Sequence, residues 1–191
     1  MSSASREVEI KLAVPDAKSG RAILRRGGFR VSRPRVFEAN TVFDTAALAL
    51  RNTGRLLRLR QAGGDTILTY KGAALPGVHK SREEVETAIS HPARMTAILN
   101  RLGFDPMFRY EKYRTEFREP RGGGVATLDE TPIGVFLELE GPPRWIDRTA
   151  RRLGFRTGDY ITASYGRLYF EWCAQHGLPS DHMIFPRRAG R

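Results

Sequence analysis

Alternation of polar and apolar side chains dominates this chain. In Arg6-Glu7-Val8-Glu9-Ile10-Lys11-Leu12, an extended strand puts Glu7, Glu9 and Lys11 on one face and Val8, Ile10 and Leu12 on the other. Alone, such a strand reads as half-buried with its charges in water. The pattern returns, however. Arg58 and Arg60 alternate with Leu57 and Leu59 over 54–61, and after a hairpin turn at Gly63-Gly64 the strand 66–72 keeps Lys71 in phase with Thr69. Arg82, Glu84 and Glu86 are in phase over 82–87. In 104–119, Lys112, Arg114 and Glu116 oppose Tyr113, Thr115 and Phe117. Asp129 closes 125–129, and Glu138 and Glu140 are in phase over 135–141. A long strand over 29–44, rich in β-branched and aromatic residues, is expected to be interrupted near Pro34.

A second period marks the helices. Asp16 is an N-cap for 17–26, stopped by Gly27-Gly28. A helical turn or loop follows at 45–50. Pro92 opens a helix over 93–102 whose stripe is Met95, Ile98, Leu99 and Leu102. Pro142-Pro143 leads into a helix carrying Trp145, Ile146, Ala150 and Leu153, stopped at Gly154, and a last helix over 164–176 ends at Gly177. Residues 178–191 read as a mobile basic tail behind a single domain over 1–177.

Two folds accommodate about eight hairpin-linked strands and several amphipathic helices. An open sheet could expose its charged face to water. Alternatively, the sheet closes with its charges inward and helices over its apolar outside. Arg and Glu recur at one phase in nearly every strand, which favours closure: an α+β fold built on a closed eight-stranded antiparallel β-barrel, a tunnel with a charged interior and helices packed outside. Such an interior is costly unless its charges pair or meet a ligand.

Composition narrows the partner. With 191 residues and 40% apolar side chains the chain can bury one core, and a net charge of +11 points to a polyanion. Cys173, the one cysteine, excludes a disulfide framework and a cysteine metal site. No apolar run reaches the length of a membrane span, so a cytoplasmic protein with no membrane partner is expected.

Taken in order, these residues resemble the CYTH superfamily, the triphosphate tunnel metalloenzymes. Glu7-x-Glu9-x-Lys11 is similar to the family's N-terminal signature. Leu57-Arg58-Leu59-Arg60, Lys71, Arg82-x-Glu84-x-Glu86, Lys112-x-Arg114, Asp129 and Glu138-x-Glu140 follow in family order, across residues 7 to about 170. Leu68-Thr69-Tyr70-Lys71-Gly72, Tyr110-Glu111-Lys112-Tyr113-Arg114 and Ser164-Tyr165-x-x-Leu168 look most like the class IV adenylyl cyclases.

The resemblance implies a triphosphate substrate, namely ATP, thiamine triphosphate or tripolyphosphate, with Mg2+ or Mn2+ as cofactor, and a homodimer. Arginine forks and lysine point charges suit phosphate oxygens, which makes Lys11, Arg58, Arg60, Lys71, Arg82, Lys112 and Arg114 the expected phosphate binders. Hard cations take carboxylate oxygens. Glu7, Glu9, Glu138 and Glu140 are the leading metal ligands, with Glu84, Glu86 and Asp129 as further ligands or partners behind them. Lys11 and Lys112 are candidates for stabilising charge on the attacking or leaving oxygen. A cyclase would direct a ribose hydroxyl at the α-phosphorus; a triphosphatase would direct water at the terminal one. A basic module that binds RNA or polyphosphate without turnover is the third reading, although no nucleic-acid motif with interleaved aromatics is present and nucleic acid is not the expected partner. The four histidines lack helical metal spacing and read as surface or capping residues. Glu116, Glu83, Arg55 and Arg109 read as structural or surface charges. Tyr165 reads as core rather than part of a nucleotide site.

Overall fold

The charged and apolar faces of the strands separate because the sheet closes on itself. The computed structural model describes residues 5–120 and 122–186. Its strands are β1 (Ser5–Val14), β2 (Arg30–Asp44), β3 (Leu56–Ala62), β4 (Asp65–Lys71), β5 (Lys80–Ala88), β6 (Asp105–Arg118), β7 (Val125–Thr131) and β8 (Gly134–Glu140). All pair antiparallel in the closed order β1-β5-β4-β3-β2-β6-β7-β8. The helices are α1 (Ala17–Arg26), α2 (Ala49–Asn52), α3 (Pro92–Arg101), α4 (Pro143–Arg152) and α5 (Tyr165–His176), with a 3-10 turn at Thr157–Asp159.

Helices cover the outward apolar side chains. Ile10 and Leu12 of β1, Leu128 of β7 and Leu137 and Leu139 of β8 pack with Leu24 of α1 and Trp145, Ile146 and Ala150 of α4. Fully burying such side chains contributes roughly 1.5–3 kcal/mol each. Gly20 lets α1 sit flush on the barrel, since a Cβ there would lie 2.6 Å from Leu128 Cδ1. Leu99 of α3 packs on Phe43 and Leu59 outside, whereas α5 lays Tyr165, Tyr169 and Cys173 against Tyr110 and Phe136, which share the inward face with Lys112 and Glu138.

Two expectations need correcting. Pro34 does not interrupt β2; the strand runs through it with register shifts between Val31 and Arg33 and between Arg33 and Val36. The physical reason is an open edge. Pairing of β2 with β3 begins only at Glu38, so the proline's missing N–H costs no ladder bond on that side. The stretch read as a mobile tail is also fastened. Met183 is fully buried and its backbone bonds on both sides to β6, Met183 N–H to Arg109 C=O at 3.0 Å and Glu111 N–H to Met183 C=O at 2.8 Å. The charges of that tail at Arg187 and Arg188 lie outside the described residues.

Candidate active site

Strand register brings every predicted site residue to one cavity or its wall. Glu7 faces Arg82 across β1 and β5, Lys11 faces Glu138 across β1 and β8, and Arg114 faces Asp129 across β6 and β7. The continuous cavity measures about 1600 Å³ and is lined by Glu7, Glu9, Lys11, Arg58, Arg60, Lys71, Arg82, Glu84, Glu86, Lys112, Arg114, Glu138 and Glu140. Asp129 stands behind this lining, fully buried.

The charges form a chain of contacts. Glu7 accepts from Lys71 Nζ at 2.6 Å and Arg82 Nε at 3.0 Å. Lys71 also lies 2.9 Å from Glu84. Lys11 Nζ lies 3.2 Å from both Glu9 and Glu138. Asp129 accepts from Lys112 Nζ at 2.7 Å, from Arg114 Nε and Nη2 at 2.7 and 2.6 Å, and from the Tyr165 hydroxyl at 2.8 Å. Arg114 also reaches Glu138. Arg58 donates to the Tyr110 hydroxyl and Thr69, and Glu86 lies 3.7 Å from Arg58 and 3.8 Å from Arg60.

Electrostatics follows from this crowding. Burial alone would raise the pKa of Glu9, but Lys11, Lys80 and Lys71 outweigh it and hold the carboxyl well below the usual range. Burial opposed by Arg114 and Lys112 leaves Asp129 at about 2. Lys11 is deeply buried, yet Glu9 and Glu138 raise its pKa. Glu140 behaves oppositely. It is exposed at a mouth of the tunnel and makes no ion pair among the described residues. Its protein surroundings, then the charges of Glu7 and Glu9, push it up to about 7. Glu84 is raised by burial and by Glu7, against the pull of Lys71.

The alternation of charges misses four positions of the tunnel and its wall: Glu38, Asn40, Lys80 and Tyr110, the last named above only within the motif of the resemblance. Glu38 and Lys80 line the tunnel, Lys80 donating to Glu9 at 2.8 Å and Glu38 lying 3.6 Å from Lys112. Their signal was present. Glu38-x-Asn40 alternates like the other strands but sits in a segment dominated by apolar residues, and Lys80 is in phase two residues before Arg82. Asn40 is fully buried with its amide unpartnered. Tyr165 is both core and site, since Lys11 and Lys112 lie 5.1 and 5.0 Å from its ring centre. Glu116, read as a structural charge, is tied to Ser32 and Arg118 and also lines the cavity.

With Lys80 and Glu38 included, Lys11, Arg58, Arg60, Lys71, Lys80, Arg82, Lys112 and Arg114 oppose Glu7, Glu9, Glu38, Glu84, Glu86, Asp129, Glu138 and Glu140, eight against eight. Their formal charges cancel, so the chain's +11 lies elsewhere. Among the described residues no three Asp, Glu, His or Cys are already grouped to hold a metal, because lysines and arginines stand between the carboxylates. The donor set nonetheless suits a hard divalent cation: its oxygens are carboxylates, and Glu140, whose pKa burial and the nearby Glu7, Glu9 and Glu84 raise, has no cation paired to it among the described residues.

Fold and site together define a charge-lined β-tunnel protein. The CYTH domain family pattern matches residues 5–165, and the chain belongs to that family. The adenylate cyclase candidate MJ0240 of Methanocaldococcus jannaschii is 31% identical over 135 residues, 70% of this chain and 75% of the relative. The solved PH1819 protein of Pyrococcus horikoshii aligns at a TM-score of 0.74 and 25% identity, over 86% of this chain and 98% of that one. HpAC1 from Hippeastrum, whose structure is described as revealing a dominant triphosphatase activity, aligns at a TM-score of 0.64 and 21% identity, over 91% and 97%.

Proposed function

We propose that this chain is a divalent-metal-dependent enzyme that takes the triphosphate of ATP into the tunnel and acts as a class IV adenylyl cyclase, releasing cyclic AMP and pyrophosphate. The charge balance supports the metal-dependent binding of a triphosphate, the part of this reading that cyclisation and hydrolysis share. A tunnel of zero formal charge cannot neutralise a triphosphate of roughly four negative charges by itself, so the substrate must arrive with cations. A cytoplasmic setting, where nucleotides and magnesium occur together, suits it.

The arginine forks of Arg58, Arg60, Arg82 and Arg114 bind phosphate oxygens, and Lys11, Lys71, Lys80 and Lys112 add point charge. A phosphate chain competes with the carboxylates for these donors, which frees carboxylate oxygens. Glu7, Glu9, Glu138 and Glu140, with Glu84 and Glu86 nearby, would hold Mg2+ or Mn2+, which supplies charge neutralisation on the phosphate oxygens. Asp129 has both oxygens occupied by Lys112, Arg114 and Tyr165, and so serves to aim these donors. Lys11 and Lys112 flank Tyr165 and are placed to stabilise charge on an attacking or leaving oxygen. The same cavity opens toward Val42, Phe108 and Phe170, with the Arg51 guanidinium 4.8 Å over the Phe170 ring. This apolar, aromatic annex suits a planar organic group and favours an organic triphosphate over a bare one.

A second reading, hydrolysis of a triphosphate, draws support from the exposure of Glu86 and Glu140, which admits water to the cavity. The likeness to HpAC1 points the same way. Incubation with ATP and Mn2+ separates the two. Cyclic AMP with pyrophosphate supports the cyclase; inorganic phosphate from ATP, thiamine triphosphate or tripolyphosphate without cyclic nucleotide replaces it with the triphosphatase. Inactivity on all three rejects both and leaves a basic module that binds RNA or polyphosphate without turnover.

A further inference from the structure

Asp147 lies outside the barrel on α4, yet it touches both chain segments that place lysines on Glu9. Its Oδ1 accepts from the Nε2–H of His79 at 2.7 Å and from the Tyr160 hydroxyl at 3.2 Å. His79 ends the loop between β4 and β5. Residues 73–78 of that loop are exposed, and Ala73-Ala74-Leu75-Pro76-Gly77-Val78 offers no polar side chain, so His79 is the loop's side-chain fastening. The next residue, Lys80, points into the tunnel and donates to Glu9 Oε1 at 2.8 Å.

The second segment follows the 3-10 turn. Pairing of β5 with β1 stops at Glu9, opposite Lys80. Beyond it, the backbone of Lys11 finds its neighbour in Ile161, each N–H bonding to the other's carbonyl at 2.9 Å. Tyr160, bound to Asp147, is adjacent to Ile161. Lys11 Nζ then approaches the same Glu9 oxygen at 3.2 Å. One exterior carboxylate therefore fastens the backbone beside each of two buried lysines that share an acceptor.

We propose that Asp147 is a positioning residue for the tunnel: through His79 and Tyr160 it clamps the loop carrying Lys80 and the segment bracketing Lys11, and so sets the cation geometry around Glu9. The proposal rests on the triphosphate reading for its functional consequence and on geometry alone for the clamp. α4 is a firm base for it, since Trp145, Ile146, Thr149 and Ala150 bury one side of the helix against the barrel. A tie that served only to hold α4 in place would have no bearing on Lys11 or Lys80.

Hydrogen exchange of the free protein and calorimetric titration with tripolyphosphate in the presence of Mg2+ test both parts. In Asp147→Ala, amide exchange is expected to rise about tenfold or more in both 72–81 and 160–163, with α1 unchanged. His79→Gln loosens only the first segment and Tyr160→Phe only the second. Tripolyphosphate affinity falls by about three- to tenfold in Asp147→Ala and not in Arg148→Ala, an exposed neighbour on the same helix turn. Unchanged exchange in either segment of Asp147→Ala overturns the clamp, and unchanged affinity overturns its role in the tunnel. Should Asp147→Ala fail to fold, an affinity loss in either single variant supports the proposal and its absence in both overturns it. A wild-type protein with no tripolyphosphate affinity removes the triphosphate reading, while the exchange pattern still decides whether Asp147 joins the two segments.

Discussion

Arg114 grips Asp129 with two parallel contacts, Nε to Oδ1 at 2.7 Å and Nη2 to Oδ2 at 2.6 Å. The fork leaves the guanidinium plane fixed and its edge free to reach Glu138 or a phosphate. A lysine keeps the charge but cannot span both oxygens. Arg114→Lys is therefore expected to weaken tripolyphosphate binding about tenfold, about 1.4 kcal/mol, with little change in melting temperature. Arg114→Met strands Asp129 without its main partner and lowers stability on the order of 3 kcal/mol. Titration calorimetry and urea unfolding read the two effects, and a lysine variant that binds like the wild type would remove the fork from the binding account.

Glu38 predicts an acid-sensitive contribution to stability. Burial raises its pKa, but Lys112, Arg114, Arg60 and Arg58 prevail and bring it to about 2, below the ordinary 4.5. A carboxylate depressed in the folded state stabilises it above the unfolded pKa, and that contribution fades as pH falls from about 4.5 toward 2. The shift corresponds to on the order of 3 kcal/mol. Glu38→Gln should be less stable than wild type by that order at pH 7, with the gap narrowing steadily below pH 5. Urea titrations between pH 7 and pH 4 measure it; a gap independent of pH assigns the loss to packing instead.

Much of the barrel is legible from the chain because alternation is local. Glu7, Glu9 and Lys11 share a face whatever they pair with, and equal phase in strand after strand predicts one charged side. Element ends are less legible: a strand read from Arg82 omits Lys80, although the backbone begins pairing there. Composition also hides chemistry, since apolar neighbours mask Glu38 and Asn40. Contacts of distant segments leave no local trace at all. His79 and Asp147 are 68 positions apart, and nothing in either neighbourhood announces the pair. Met183 occupies an edge that exists only because β7 pairs with β6 no further back than Tyr113.

Glu140 sets stability against metal binding. Its protein surroundings and the charges of Glu7 and Glu9 push its pKa up to about 7, so above pH 4.5 its ionisation increasingly opposes the metal-free fold. Glu140→Gln removes that repulsion. At pH 8 without metal the variant should melt at or above the wild-type temperature. The same change removes a proposed ligand, so added Mn2+ should raise the melting temperature of the variant less than that of the wild type, with apparent metal affinity about tenfold weaker. Melting curves across a Mn2+ series decide; equal metal-induced shifts in both proteins would take Glu140 out of the metal site.

The segment beside β6 makes Met183 a structural anchor. Its side chain is fully buried among Tyr110, Tyr169 and Cys173, and its backbone supplies the partners that β7 does not provide at Arg109 and Glu111. Tyr110 in turn receives the hydrogen bond of Arg58, so the anchor lies one residue from the tunnel wall. Met183→Ala should lower stability by about 2–5 kcal/mol through the cavity it leaves. Met183→Leu, which conserves volume, should cost under about 1.5 kcal/mol. The adjacent Ile184 is 41% exposed, so Ile184→Ala is the internal reference and should cost well under 1 kcal/mol, roughly the range of surface changes. Urea unfolding of the three variants tests the ranking, and equal losses for Met183→Ala and Ile184→Ala would mean that the segment merely rests on the barrel.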